Sequence, residues 1–167
     1  KRARKVEMEH VVPAAKLCGK TPEWTVGSPN CGSSRGKKYK GRRCAVEHNA
    51  SCRAAHNDVH NLRPAIGEVN NDRRDFPFGE VPKQGPSPYG SCDFRIQNRI
   101  ADPPDQIQGD IARIYLHMNE AYPELKILEE SEIDFFKKWS EADPVSPEEC
   151  RLNEDLGQVQ GISNFFI

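Results

Sequence analysis

At 167 residues, 36% of them apolar and with a formal net charge of −1, the chain is long enough for one buried core and short for two, so one domain over residues 1–167 is expected. No run approaches the ~18 consecutive apolar residues that span a bilayer, and "KRARK" at the start has no apolar stretch behind it, which excludes a membrane span and a visible signal peptide. The near-neutral total hides an asymmetry: residues 1–63 hold 14 Lys and Arg against 5 Asp and Glu, and the remainder holds 10 against 20, so the first part suits phosphate neutralisation and the second limits indiscriminate sticking.

The first element is a strand in "VEMEHVVPA", residues 6–14. Period-2 alternation places Val6, Met8, His10 and Val12 on one face and Glu7, Glu9 and Val11 on the other, with Pro13 as the stop. Glu9 and His10 then diverge, and both can address one substrate only if the strand twists or ends there. Residues 18–53 are rich in Gly, Ser, Pro, Lys and Arg with no sustained period, which reads as a long loop region pinned by cysteines. Its Lys37, Lys38 and Lys40 offer a surface for a nucleic-acid backbone, with Trp24 and Tyr39 among them. The six cysteines include no C-x-x-C pair, which favours disulfides and an oxidising compartment; sequence does not choose among the 15 pairings.

Next comes "HNDVHNLRPAIGEVNNDR", residues 56–73, which crowds His56, Asp58, His60, Asn61, Glu68, Asn70, Asn71 and Asp72 around one expected helix start at Pro64. The density suits a metal site, although the spacing is neither H-E-x-x-H nor a calcium loop. Further on, Ile107, Ile111, Ile114, Tyr115 and Met118 recur at helical intervals before Pro123 and predict an amphipathic core helix. "SEIDFFKKWSEADP" predicts a helix capped by Ser131 and Asp134 that buries Phe135, Phe136 and Trp139. "SPEECRLNEDLGQV" predicts another, with Ser146, Glu149 and Pro147 at its start.

Taken in order, "EHVVPA", "DVHNLRPAIGEVNNDR", "CDF", "PP" with "GDIARIYLHM", then "W", "PVSPEEC" and "VQG" resemble the bacterial endonuclease I family of periplasmic and secreted nonspecific nucleases, from about Val6 to Gly161. The resemblance implies an α+β single domain with a ββα-metal (His-Me finger) core, basic disulfide-pinned loops and a helical C-terminal half. It implies His10 as general base and Glu9 and Asn70 as metal ligands, with Mg²⁺ as the cation and Mn²⁺ or Ca²⁺ as alternatives. The arginine that steadies the phosphate falls on Arg42 or Arg43, between which the local alignment does not choose.

A glutamate that the family often shows is replaced here by His56, a change that weakens metal affinity or shifts it toward softer ions. His56, His60 and Glu68 are expected around the metal ligands, and Arg63 and Arg73 are expected to join the lysines on DNA, or RNA. The family also implies a further segment before the "EH" motif, so a cysteine partner is expected to be missing with it. The expected activity is metal-dependent hydrolysis of phosphodiesters to 5′-phosphate products by a monomer in the periplasm or outside the cell. A secreted nucleic-acid-binding or uptake module without turnover is the alternative.

Overall fold

The computed structural model describes residues 5–167. The chain opens with strand β1 (Val6–His10), which pairs antiparallel with β2 (Leu62–Ile66) in a register that sets His10 opposite Leu62 and Val6 opposite Ile66. Helix α5 (Gly67–Arg73) follows β2 without a linker, so the two strands and the helix form one continuous unit. Pro64 therefore lies inside a strand, opposite Met8, and does not begin the helix. A two-stranded ribbon has free edges on both sides, which is where a residue lacking an N–H is tolerated.

The ribbon continues past His10 through Asn61. The Val11 N–H donates to the Asn61 carbonyl at 2.9 Å, and the buried Asn61 carboxamide takes the Val12 N–H at 2.7 Å and donates to the Val12 carbonyl at 3.0 Å. A side chain thus replaces two ladder bonds where β1 dives into the core, leaving no buried backbone group unmet there.

Residues 18–53 are less irregular than their composition predicts. Short helices α1 (Ala14–Cys18), α2 (Pro22–Thr25), α3 (Arg42–His48) and α4 (Ala50–His56) occupy much of the region. Disulfide Cys18–Cys52 ties the end of α1 to α4, and Cys31–Cys44 ties the intervening loop to α3. Helices this short are unstable alone. Here cross-links and a cap, the Asn49 carboxamide accepting from the Cys52 N–H at 2.9 Å, hold them. Cys92 and Cys150 remain unpaired, so two disulfides form from six cysteines.

After the small hairpin of β3 (Arg95–Gln97) and β4 (Ile100–Asp102), the C-terminal half is helical as predicted: α6 (Gln108–Ala121), α7 (Glu130–Ala142) and α8 (Pro147–Gln160). Helix α6 is buried on nearly every side from Gly109 to Met118. Gly109 is needed because a Cβ there would stand 2.0 Å from the Asp143 carbonyl oxygen. Tyr115 stacks on Phe136 at 4.3 Å, and Trp139 closes the aromatic cluster.

Helix α7 begins one residue before the expected Ser131 cap, on a capping box of Glu129 and Glu132. Glu132 accepts from the Glu129 N–H at 2.9 Å, and Lys16 and Lys20 of the basic half pair with Glu132 and Glu129 at 2.6 and 2.7 Å, which favours carboxylates over the serine. Helix α8 keeps its expected Ser146, Pro147 and Glu149 start. One connected core joins α1, α4, α6 and α7, and no helix among the described residues is long and apolar enough to cross a membrane.

Candidate active site

Because β1 stops at His10, its last two side chains meet at one opening instead of diverging. Glu9 and His10 line a cleft of about 450 Å³ whose walls also include Arg42 at the start of α3, Asn70 of α5, Trp24 and Arg74. Three elements distant in sequence therefore converge on one surface. The run at residues 56–73 does not act as a single cluster: its members are dispersed over three environments.

His10 is half-buried. Its Nε2–H donates to the His56 carbonyl at 2.8 Å, which leaves the Nδ1 lone pair available for a proton. Burial pushes the imidazole below its ordinary range, the Arg42 charge adds to this, and the His56 carbonyl contact works against it. His56 adds a second contact through its ring, which lies 4.6 Å from that of His10. The His56 Nδ1–H faces the Asn57 side-chain oxygen at 3.1 Å, and its Nε2 accepts from Arg42 Nε at 2.9 Å and Nη2 at 2.6 Å. In this chain, then, the histidine at the position of the expected glutamate orients Arg42.

Arg43 points elsewhere. Its Nε pairs with Glu47 at 2.9 Å, and its guanidinium lies 4.4 Å over the Tyr39 ring. The Tyr39 hydroxyl donates to the same Glu47.

Glu9 is tethered by Arg73, whose Nη1 donates to Oε1 at 2.8 Å. Burial raises the Glu9 carboxyl above its usual range despite that arginine. Arg73 spends its other donors on the carbonyls of His10, Val11 and Phe76 and on the Tyr115 hydroxyl, and it is 1% exposed. It is a buried strut under the cleft, so its expected place on the nucleic acid is corrected. Arg63 is half-buried, and its Nη1 donates to the carbonyls of His60 and Leu62. Lys37, Lys38 and Lys40 do stand exposed, on the loop between α2 and α3.

Asn70 faces the cleft from α5, and its Nδ2 donates to Glu7 at 3.2 Å, which turns Oδ1 into the available acceptor. Glu7 was legible only as a strand-face neighbour of Glu9, and its part in orienting Asn70 needed the helix placed beside the ribbon. Glu68 is exposed on α5 and outside the cleft wall, and His60 is buried away from it beside Asp58 and His117. His117 was not singled out at all, although a histidine within an apolar helical run was the signal.

The family model of Endonuclease I matches residues 1–167. The chain belongs to the endonuclease I family. It is 35% identical over 169 residues to Endonuclease-1 of Buchnera aphidicola subsp. Acyrthosiphon pisum, covering 99% of this chain and 60% of that protein. It is 35% identical over 171 residues to a periplasmic deoxyribonuclease of Aeromonas hydrophila, covering 99% and 64%. An extracellular ribonuclease of Bacillus amyloliquefaciens is 28% identical over 112 residues, covering 58% and 38%. The chain thus spans about three fifths of the length of the first two relatives.

In this endonuclease I chain the cleft suits a hard divalent cation. The Glu9 carboxylate and the Asn70 carboxamide oxygen are oxygen donors of the kind Mg²⁺ prefers, on two elements that the ribbon-to-helix junction holds side by side. His10 flanks them through a strand end fixed by Asn61, and Arg42 and Arg74 bring positive charge to the cleft wall.

Proposed function

We propose that the chain is a metal-dependent nonspecific endonuclease that hydrolyses DNA, and RNA as a second substrate, to 5′-phosphate products. The reading rests on one observation: His10, Glu9, Asn70 and Arg42 line a single cleft at the junction of the ribbon, α5 and α3. We read the ribbon and α5 as the ββα-metal (His-Me finger) core that the family resemblance implies, a reading supported by α5 following β2 directly beside β1.

His10 takes a proton at Nδ1 from the attacking water, since Nε2 is committed to the His56 carbonyl. Its lowered proton affinity keeps it neutral and ready at neutral pH. Arg42, aligned by His56, presents its remaining N–H groups to a phosphate oxygen. Glu9 and Asn70 would hold the cation, with Arg73 and Glu7 fixing their rotamers. Bound there, Mg²⁺ or Mn²⁺ would supply positive charge to the pentacovalent phosphate and the leaving 3′ oxygen.

Lys37, Lys38 and Lys40 would grip the sugar-phosphate backbone, and because phosphate contacts carry no sequence information, cutting would be nearly indifferent to sequence. The two disulfides support a periplasmic or extracellular location, as does similarity to a periplasmic deoxyribonuclease and to an extracellular deoxyribonuclease of Aeromonas hydrophila, the latter 34% identical over 171 residues. We take the active unit as a monomer of one domain.

Supercoiled plasmid incubated with Mg²⁺, and in parallel with EDTA, tests the activity: degradation only with metal is expected, and intact plasmid in both would favour a binding module. The His10→Ala variant should lose cleavage by roughly 10²-fold or more while still retarding DNA on a gel. A variant that cuts as fast as the parent removes His10 from the mechanism.

A further inference from the structure

Away from the cleft, three fully buried side chains from separate parts of the chain converge: Asp58, His60 of the 3₁₀ turn Val59–Asn61, and His117 of α6. One ligating atom from each lies within 4.8 Å of the others. Two of them are already oriented by outer partners, as metal ligands usually are. Asp58 Oδ1 accepts from the His60 N–H and Oδ2 from the Tyr122 hydroxyl, both at 2.8 Å. The His60 Nε2–H donates to the Ile162 carbonyl at 2.7 Å, which makes Nδ1 its lone-pair nitrogen.

His117 is different. It is 0% exposed, and among the described residues neither ring nitrogen has a hydrogen-bond partner; Nε2 stands 3.9 Å from Asp58 Oδ2. Buried polar side chains are almost always partnered, so an imidazole orphaned at both nitrogens and set against a carboxylate and a second imidazole needs an account.

We propose that Asp58, His60 and His117 form a buried binding site for a borderline-soft transition-metal dication, with Zn²⁺ the best match. Two imidazoles and a carboxylate are a donor set for Zn²⁺, whereas Mg²⁺ favours oxygen ligands and sheds its waters reluctantly. Ligand atoms around tetrahedral Zn²⁺ lie roughly 3.3 Å apart, so the widest gap here closes through side-chain rotation. The ion would staple α6 and the chain after α8 to the turn that leads into β2, the partner strand of His10. The proposal does not depend on the nuclease reading and assigns this metal no catalytic step.

The test uses protein stripped with a chelator and titrated with Zn²⁺, with metal content per chain, thermal melting and calorimetry as readouts. One Zn²⁺ per chain and a raised Tm are expected, with no comparable shift from Mg²⁺. Since the cleft also holds two imidazoles, the titration is repeated in His10→Ala/His56→Ala, which should keep the tight site, and in His117→Phe, which should bind at least ten-fold more weakly. Undiminished binding in His117→Phe, or loss of binding in the double variant, overturns the proposal. Should His117→Phe fail to fold, X-ray absorption at the zinc edge of the double variant decides, because His48, His60 and His117 are then the remaining histidines of the five. Two imidazoles and a carboxylate on the ion support the site, and fewer than two imidazoles overturn it.

Discussion

Adjacent arginines in "GRRC" are chemically identical, and only their surroundings separate them. Arg42 shares the cleft with His10 and leans on His56, whereas Arg43 is spent on Glu47 and the Tyr39 ring. Arg42→Ala should therefore lower kcat/KM on plasmid DNA about 10²-fold, the usual cost of removing one preorganised charge donor. Arg43→Ala should leave it within about two-fold, since an exposed pair four residues apart in a helix contributes little. Initial nicking rates of the two variants, side by side, check this. Arg73 reverses its expected part. Because it is buried under Glu9, Arg73→Met should cost about 3 kcal/mol or more of stability. In EDTA, below the melting temperature of both proteins, its DNA retardation should match the parent's. A clear loss of retardation at unchanged stability would return Arg73 to the surface role read from the sequence.

Helix α6 and the start of α8 are joined by a buried charge cluster. Arg113 is fully buried and grips Glu149 with two donors, Nε to Oε1 at 2.8 Å and Nη2 to Oε2 at 2.6 Å, while Nη2 also reaches Asp110 at 3.1 Å. Burial pushes the Asp110 carboxyl up to about 6, and its contact with Glu149 adds to the rise. The folded chain then binds a proton there that the unfolded chain has released, so the stability this group provides is present at low pH and is lost as pH rises through about 6. Asp110→Asn keeps an oxygen for Arg113 and places an N–H where the carboxyl proton would sit. Its Tm should exceed the parent's at pH 7.5 and match it near pH 4, and differential scanning calorimetry at the two pH values reads the difference. At this scale the sequence was legible where period and caps agreed: α6 and α8 follow from their apolar spacing and from Ser146, Pro147 and Glu149. It misled where a longer-range partner decided. Pro64 looks like a helix start until Met8 is placed opposite it, and Glu129 outcompetes Ser131 because Lys20 arrives from more than a hundred residues away. The cleft was half legible, since His10, Glu9 and Asn70 lie in motifs, but the struts Glu7 and Arg73 and the isolation of His60 from His10 are products of packing.

Across the whole molecule the charge asymmetry is only partly a surface property. Lys16 and Lys20 neutralise the acidic half within the fold, leaving Lys37, Lys38 and Lys40 exposed for a polyanion. Plasmid affinity should fall as salt rises, and each Lys→Ala change at these three positions should reduce the log–log slope by about 1. Filter binding in EDTA over a salt series measures it; an unchanged slope in the triple variant would place the backbone grip elsewhere. The bridges set a second global condition. Closing 34 residues through Cys18–Cys52 and 13 through Cys31–Cys44 should contribute about 3 kcal/mol each by restricting the unfolded chain. Cys18–Cys52 spans α3 and ends on α4, and Cys31–Cys44 ends on α3, so the bridges anchor the two helices that carry Arg42 and His56, while the ribbon bearing His10 lies outside both loops. With dithiothreitol, cleavage should therefore fail before far-UV circular dichroism reports global melting. On the nuclease reading proposed above, the same polypeptide would be slack in a thiol-rich cell interior and drawn taut where oxidant is at hand, so that covalent bonds beside Arg42 and His56 would withhold cutting until the chain leaves the compartment that made it.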